Sequence, residues 1–207
     1  VNTQQVNPKM SNYENIIKGN LQRLYSQLPA DLADRLPATQ AGDGFLFQAF
    51  GESCRIAPDT ISIGDKSETG PAGIVISLYA LQVTNSACQL APFKAFREMP
   101  DSMPYVSAFA SNTESVLLEH IDTIARASGR IIAQFNGSQE AQPDTGDFSL
   151  ILYPLPKIAL NYICYRADDE FPAAVTCLFS SNAPEFLTTD ALADTGEYTS
   201  KKILDIL

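Results

Sequence analysis

Apolar residues recur at three- and four-residue spacing early in the chain. Ile16, Ile17, Leu21, Leu24 and Leu28 form one stripe and predict a helix from Tyr13 to Gln27, ended by Pro29. Pro29-Ala30-Asp31 has the chemistry of a helix start, so a second short helix is expected over Ala30–Leu36, stopping before Pro37. A turn-rich link, Thr39–Gly44, separates these from Phe45–Phe50, which reads as a strand. Arg55–Pro58 and Thr60–Ile63 are short extended pieces joined through the turn-forming Pro58-Asp59, and together they predict a small meander. The apolar run behind Pro71 is too long for a typical strand and predicts a buried helix to Val83, with Ile74, Leu78 and Leu81 facing the core.

The middle of the chain changes texture. Ala91–Tyr105 (APFKAFREMPDSMPY) reads as loop because of its three prolines. A long helix is expected from Thr113 or Glu114 to Ala127, capped by Asn112 or Thr113 and stopped by Gly129. Three strands follow: Phe148–Leu152, Ile158–Tyr165 and Ala173–Phe179. Pro154-Leu155-Pro156 joins the first two, and a short acidic hairpin joins the last two. In the middle strand Leu160, Tyr162 and Cys164 share one face, and Asn161, Ile163 and Tyr165 the other. Thr188–Leu207 predicts one or two helices broken at Gly196. Strands and helices segregate rather than alternate. The expected class is therefore α+β, a mainly antiparallel sheet packed against several helices, with a flexible tail at 1–12 and a single domain at 13–207.

Charge narrows the function. There are 24 Asp and Glu against 14 Lys and Arg, a net charge of −10. Such a surface repels phosphate backbones and anionic lipid, so neither a nucleic acid nor a membrane is expected as partner. No stretch reaches the roughly 18 apolar residues of a membrane span. The opening VNTQQVNPKMSNYE has no apolar signal core, and a cytoplasmic location is expected. Cys54, Cys88, Cys164 and Cys177 are widely spaced with no C-x-x-C. No metal site or cofactor is expected, since zinc and iron–sulfur sites draw paired ligands from tight loops. The cysteines read as free buried thiols, with Cys164 to Cys177 the one disulfide considered.

Candidate chemistry is sparse. His120 is the only histidine, which excludes any site built on two imidazoles. The carboxylates Asp168, Asp169 and Glu170 lie at a predicted turn. They suit either a solvated turn or a hard cation and acid–base work. The Asp144–Asp147 stretch (DTGD) carries only part of a calcium loop, and its Asp-Thr-Gly triplet lacks the apolar flank of an aspartic protease. No Gly-rich phosphate loop and no G-x-S-x-G occur. Phe93, Phe96 and Arg97 put aromatics beside a cation that can clamp a carboxylate or phosphate.

Phe96-Arg97-Glu98-Met99-Pro100, Leu155-Pro156-Lys157-Ile158 and Asp169-Glu170-Phe171-Pro172 with Leu178-Phe179 form a pattern. LPADLADRLPA and FGESCRIAPD extend it. The pattern resembles the domain-of-unknown-function family three-seven-eight-six of anaerobic bacteria and archaea, over about residues 13–207. Lys157 stands where the family pattern has Arg, and Tyr165 where it has Trp. The resemblance implies work beside redox or corrinoid metalloenzymes, because some members look joined to a small iron–sulfur domain. It carries no catalytic residue over.

The expected function is a non-catalytic binding or accessory module of anaerobic metabolism, taking a protein partner or a small-molecule ligand. Its candidate pocket comprises Phe96, Arg97, Lys157, Tyr165, Asp169 and Glu170. The alternatives are a small enzyme using the Asp168-Asp169-Glu170 carboxylates, and a structural protein acting through homo-oligomers.

Overall fold

A computed structural model describes residues 12–139 and 146–207. It has two antiparallel five-stranded sheets and a set of helices around one apolar core, an α+β architecture. Helix α1 (Asn12–Ser26) buries Ile17, Leu21 and Leu24 of the predicted stripe, while Ile16 and Leu28 stay exposed. Helix α2 is a single turn, Leu32–Arg35. The first sheet is a continuous meander of β1 (Thr39–Ala41), β2 (Gly44–Ala49), β3 (Glu52–Ala57), β4 (Thr60–Ile63) and β5 (Lys66–Ser67). The expected link at Thr39–Gly44 is instead mostly strand. Gly42 takes a positive φ of 64°, which lets the chain reverse and pair Thr39 with Leu46.

Helix α3 (Pro71–Gln82) was expected to turn Ile74, Leu78 and Leu81 inward. They are only partly buried, whereas Ala72, Gly73, Val75, Ile76, Ser77, Tyr79 and Ala80 are covered. A helix apolar on every side has no stripe to set its phase. Close approach sets it: a Cβ on Gly73 would lie 2.6 Å from Ile17 Cδ1, so the small residues face α1. The contact is fastened where Asn20 Nδ2 donates to Ser77 Oγ at 3.0 Å.

The region expected to be loop contains β6 (Lys94–Ala95) and a 3-10 turn at Phe96–Glu98. Glu98 holds that turn by accepting the Ala95 N–H at 2.7 Å. Then come α4 (Val106–Phe109), a π turn (Ala110–Glu114), a 3-10 stretch (Ser115–His120) and α5 (Ile121–Gln134). The predicted helix at Thr113–Ala127 is thus displaced. Its first turns are wound differently, and Gly129 does not stop it. An interior glycine costs a helix only about 1 kcal/mol. The stop comes at Asn136, whose φ of 49° is the left-handed conformation asparagine tolerates, followed by Gly137.

The second sheet has the order β6-β10-β9-β8-β7, with β7 (Ser138–Gln139), β8 (Phe148–Leu155), β9 (Ile158–Tyr165) and β10 (Ala174–Phe179). The β8–β9 reversal falls at Pro156-Lys157, because β8 carries an irregularity between Leu152 and Leu155 and continues past it. The Pro154 carbonyl accepts the Phe50 N–H at 2.7 Å and so ties the two sheets together. Helix α6 (Thr189–Ile206) runs unbroken through Gly196. There a Cβ would lie 2.6 Å from Phe109 Cε2, so the glycine serves close packing and not a break. No helix among the described residues is long and apolar enough to cross a membrane.

Candidate functional site

Three phenylalanines anchor the most chemically structured groove. Phe96 stacks on Phe109 with centroids 4.4 Å apart and planes 12° from parallel, and Phe179 tilts against both at 6.1 and 5.7 Å. Such pairs add about 0.5–1.5 kcal/mol each beyond the area they bury. They fix the Phe96–Glu98 turn and α4 against β10. Between these elements lies a groove of about 340 Å³, lined by Phe96, Arg97, Phe109, Glu114, Thr176 and Cys177 among others.

Glu114 closes the π turn and places its Oε1 2.9 Å from the Cys177 N–H, which donates to it. Burial raises the Glu114 pKa, and the Cys177 hydrogen bond only partly offsets this. Beneath it the Cys177 thiol is pushed far up, first by burial and then by the Glu114 charge. The π turn is itself pinned from behind. Ser200 Oγ donates to the Thr113 carbonyl at 2.7 Å, and Ser200 Oγ lies 3.0 Å from the Tyr162 hydroxyl. Single π turns inside helical segments recur at functional sites. Arg97 is exposed on the groove wall and forms no ion pair with any described carboxylate.

The six residues grouped from the sequence take three places. Phe96 and Arg97 line the groove. Lys157 is buried at the β8–β9 turn, where its Nζ donates to the Thr84 carbonyl at 2.7 Å. Tyr165 ends β9 at its other end, and Asp169 and Glu170 follow in the exposed hairpin to β10. At about 3.3 Å per residue, β9 holds Lys157 and Tyr165 roughly 25 Å apart. Asp168 spends its Oδ1 on the N–H groups of Glu170 and Phe171, at 2.8 and 2.7 Å. Those bonds keep its pKa low. Among the described residues no group of three or more His, Cys, Asp and Glu is arranged to hold a metal.

His120 is the half-buried N-cap position of α5. All four cysteines are free. Cys164 and Cys177 lie on paired strands but out of register, opposite Val175 and Tyr162. Asp144 and Thr145 lie outside the described residues. Asp147 is engaged by the end of β9, its Oδ2 accepting the Arg166 N–H at 2.6 Å. Sequence reasoning missed Glu114, Thr176 and Cys177 as groove residues. Its only signal for the groove was the aromatic–cation pair Phe96-Arg97.

Two antiparallel sheets with helices packed on them define an α+β protein, and its groove carries one half-buried carboxylate. The chain belongs to the family described as Domain of unknown function (DUF3786), whose model matches residues 29–202. That membership assigns no specific function. No curated protein and no solved structure matches the chain.

Proposed function

We propose that the protein is a binding or accessory module whose ligand occupies the Phe96–Glu114 groove. One observation carries this reading: Arg97, with no acidic partner among the described residues, shares a groove with Glu114, which has one carboxylate oxygen committed to Cys177. A ligand suited to it brings a carboxylate for the Arg97 guanidinium, a hydrogen-bond donor for Glu114 and an apolar body for Phe96 and Phe109. Apolar amino acids and amino-carboxylates have that combination. The net charge of −10 supports a partner other than nucleic acid. The family resemblance supports a place in the cytoplasm of anaerobes, beside iron–sulfur or corrinoid metalloenzymes.

The test is calorimetric titration with a panel of apolar amino acids and simple carboxylates, on the wild type and on Arg97→Ala and Glu114→Gln. Binding by the wild type that weakens at least tenfold in each variant is expected, since a charge-assisted hydrogen bond contributes about 1.5–3 kcal/mol. Ligands that bind both variants as tightly as the wild type would sink the assignment.

A further inference from the structure

A second locus, distinct from the groove, lies where α2, the end of α3 and the β8–β9 turn meet. Lys157 is 7% exposed there. Its Nζ donates to the Thr84 carbonyl and stands 6.0 Å from the Phe186 ring centroid. In a chain with 24 acidic residues, none of the described carboxylates pairs with it. Buried charges are normally paired, because desolvation without a counter-charge is costly.

Arg35 is brought to the same place. It bonds Asp31 at 2.8 Å, Asp31 accepts from Asn85 at 3.0 Å, and Asn85 follows Thr84 in the chain. The Arg35 charge is felt at Lys157, where, after desolvation, it further lowers the amine's pKa. Two buried polar atoms here have no partner among the described residues: Arg35 Nε and the hydroxyl of Tyr79. Tyr79 is fully buried; the Lys157 backbone N–H approaches its oxygen, so what lacks a partner is its O–H as a donor. Orphaned buried donors call for an absent water or ion. Here all three candidates, an ammonium, a guanidinium N–H and a phenol, are donors.

We infer that Lys157, Arg35 and Tyr79 form a binding site for a small oxyanion, phosphate or carboxylate in type. The anion supplies the counter-charge that the chain omits and accepts the hydrogen bonds of both orphaned donors.

The test is thermal unfolding and calorimetry of the whole protein with inorganic phosphate or acetate, each against sodium chloride at matched ionic strength. A saturable rise in Tm is expected with one or both anions. The arm that responds identifies phosphate or carboxylate as the preferred chemistry. Lys157→Met should abolish the response, and Tyr79→Phe, which removes only a hydroxyl, should weaken affinity about tenfold. If Lys157→Met does not fold, Arg35→Gln takes its place and should also weaken binding. A wild type indifferent to both anions overturns the site. So does a response that survives in every folded variant, or one lost in Arg97→Ala, which would move the anion to the groove.

Discussion

Gly129 and Gly196 both stand inside helices, yet an added methyl group should act on them in opposite directions. At Gly129 in α5 nothing lies within 4 Å of the position a Cβ would take. Alanine there gains helix propensity alone, about 0.5–1 kcal/mol. At Gly196 in α6 the same atom would lie 2.6 Å from Phe109 Cε2 and 3.0 and 3.1 Å from Thr113 Oγ1 and Cγ2. Ordinary carbon contacts are about 3.5–4.0 Å, so roughly 1 Å of overlap must be relieved. Overpacking of this kind costs about 1–3 kcal/mol, which outweighs the propensity gain. The expected gap between the variants is about 2 kcal/mol. For a chain of this size that is roughly 4–8 °C in Tm, with Gly129→Ala above the wild type and Gly196→Ala below it. Scanning calorimetry, supported by urea unfolding, measures both. Because the obstruction is Phe109, Gly196→Ala should also weaken whatever the groove binds. A Gly196→Ala protein as stable as Gly129→Ala would refute the close packing of α6 on the π turn.

Other expectations follow from single groups. Glu114 has a raised pKa in the folded protein, so its neutral form is favoured there and its contribution to stability fades as pH climbs from its unfolded pKa through its folded one. Glu114→Gln should therefore gain on the wild type in urea unfolding as pH goes from 4 to 7; a difference that is flat or reversed contradicts the burial argument. The thiols of Cys54 and Cys164 are pushed up to about 12 by burial and that of Cys177 well above its ordinary value; burial raises Cys88 too, but it is only half-buried. A thiol-specific disulfide reagent at pH 8 should thus titrate Cys88 in the native protein and all four cysteines after denaturation; several fast native thiols would exclude this packing. Asp168 is held below its usual pKa by the N–H groups of Phe171 and Glu170, a contribution present at neutral pH and lost as pH falls through the folded value. Asp168→Ala should speed amide exchange at Glu170 and Phe171 and leave α5 and β9 unchanged; unaltered exchange at the hairpin would rule out the turn role.

Elements whose pattern is set within their own segment were legible in the sequence. Helix α1 shows its stripe because only one side of it meets the core, and β9 and β10 are marked by length, apolar content and an acidic turn between them. What escaped was set from outside the segment. The phase of α3 is decided by Ile17 meeting Gly73, more than fifty residues away, and no periodicity in an all-apolar helix encodes that. The winding of Ala110–Glu114 into a π turn depends on Ser200 taking the Thr113 carbonyl and on Cys177 offering its N–H to Glu114. Gly129 and Gly196 carry the same local signal of a break, and only their neighbours explain why neither ends a helix. The groove was half-visible for the same reason. Phe96-Arg97 is a local pattern, whereas its acid arrives through tertiary contacts.

The pairing of β6 with β10 bears on the order of assembly. Lys94 and Ala95 meet Phe179 and Leu178 more than eighty residues further along the chain. Closing a loop of that length costs roughly 4 kcal/mol in chain entropy before any contact repays it. Two rungs of ladder are a meagre return. The burial of Phe96 against Phe109 and Phe179 supplies the rest, so the aromatic cluster has to condense before the strand can register. The two β6–β10 rungs are therefore expected to register late and to open early. A ligand seated in the neighbouring groove, as proposed, would act as a latch on the longest-range closure of the second sheet. Its arrival should register as slower amide exchange in β6 long before it alters the global unfolding temperature.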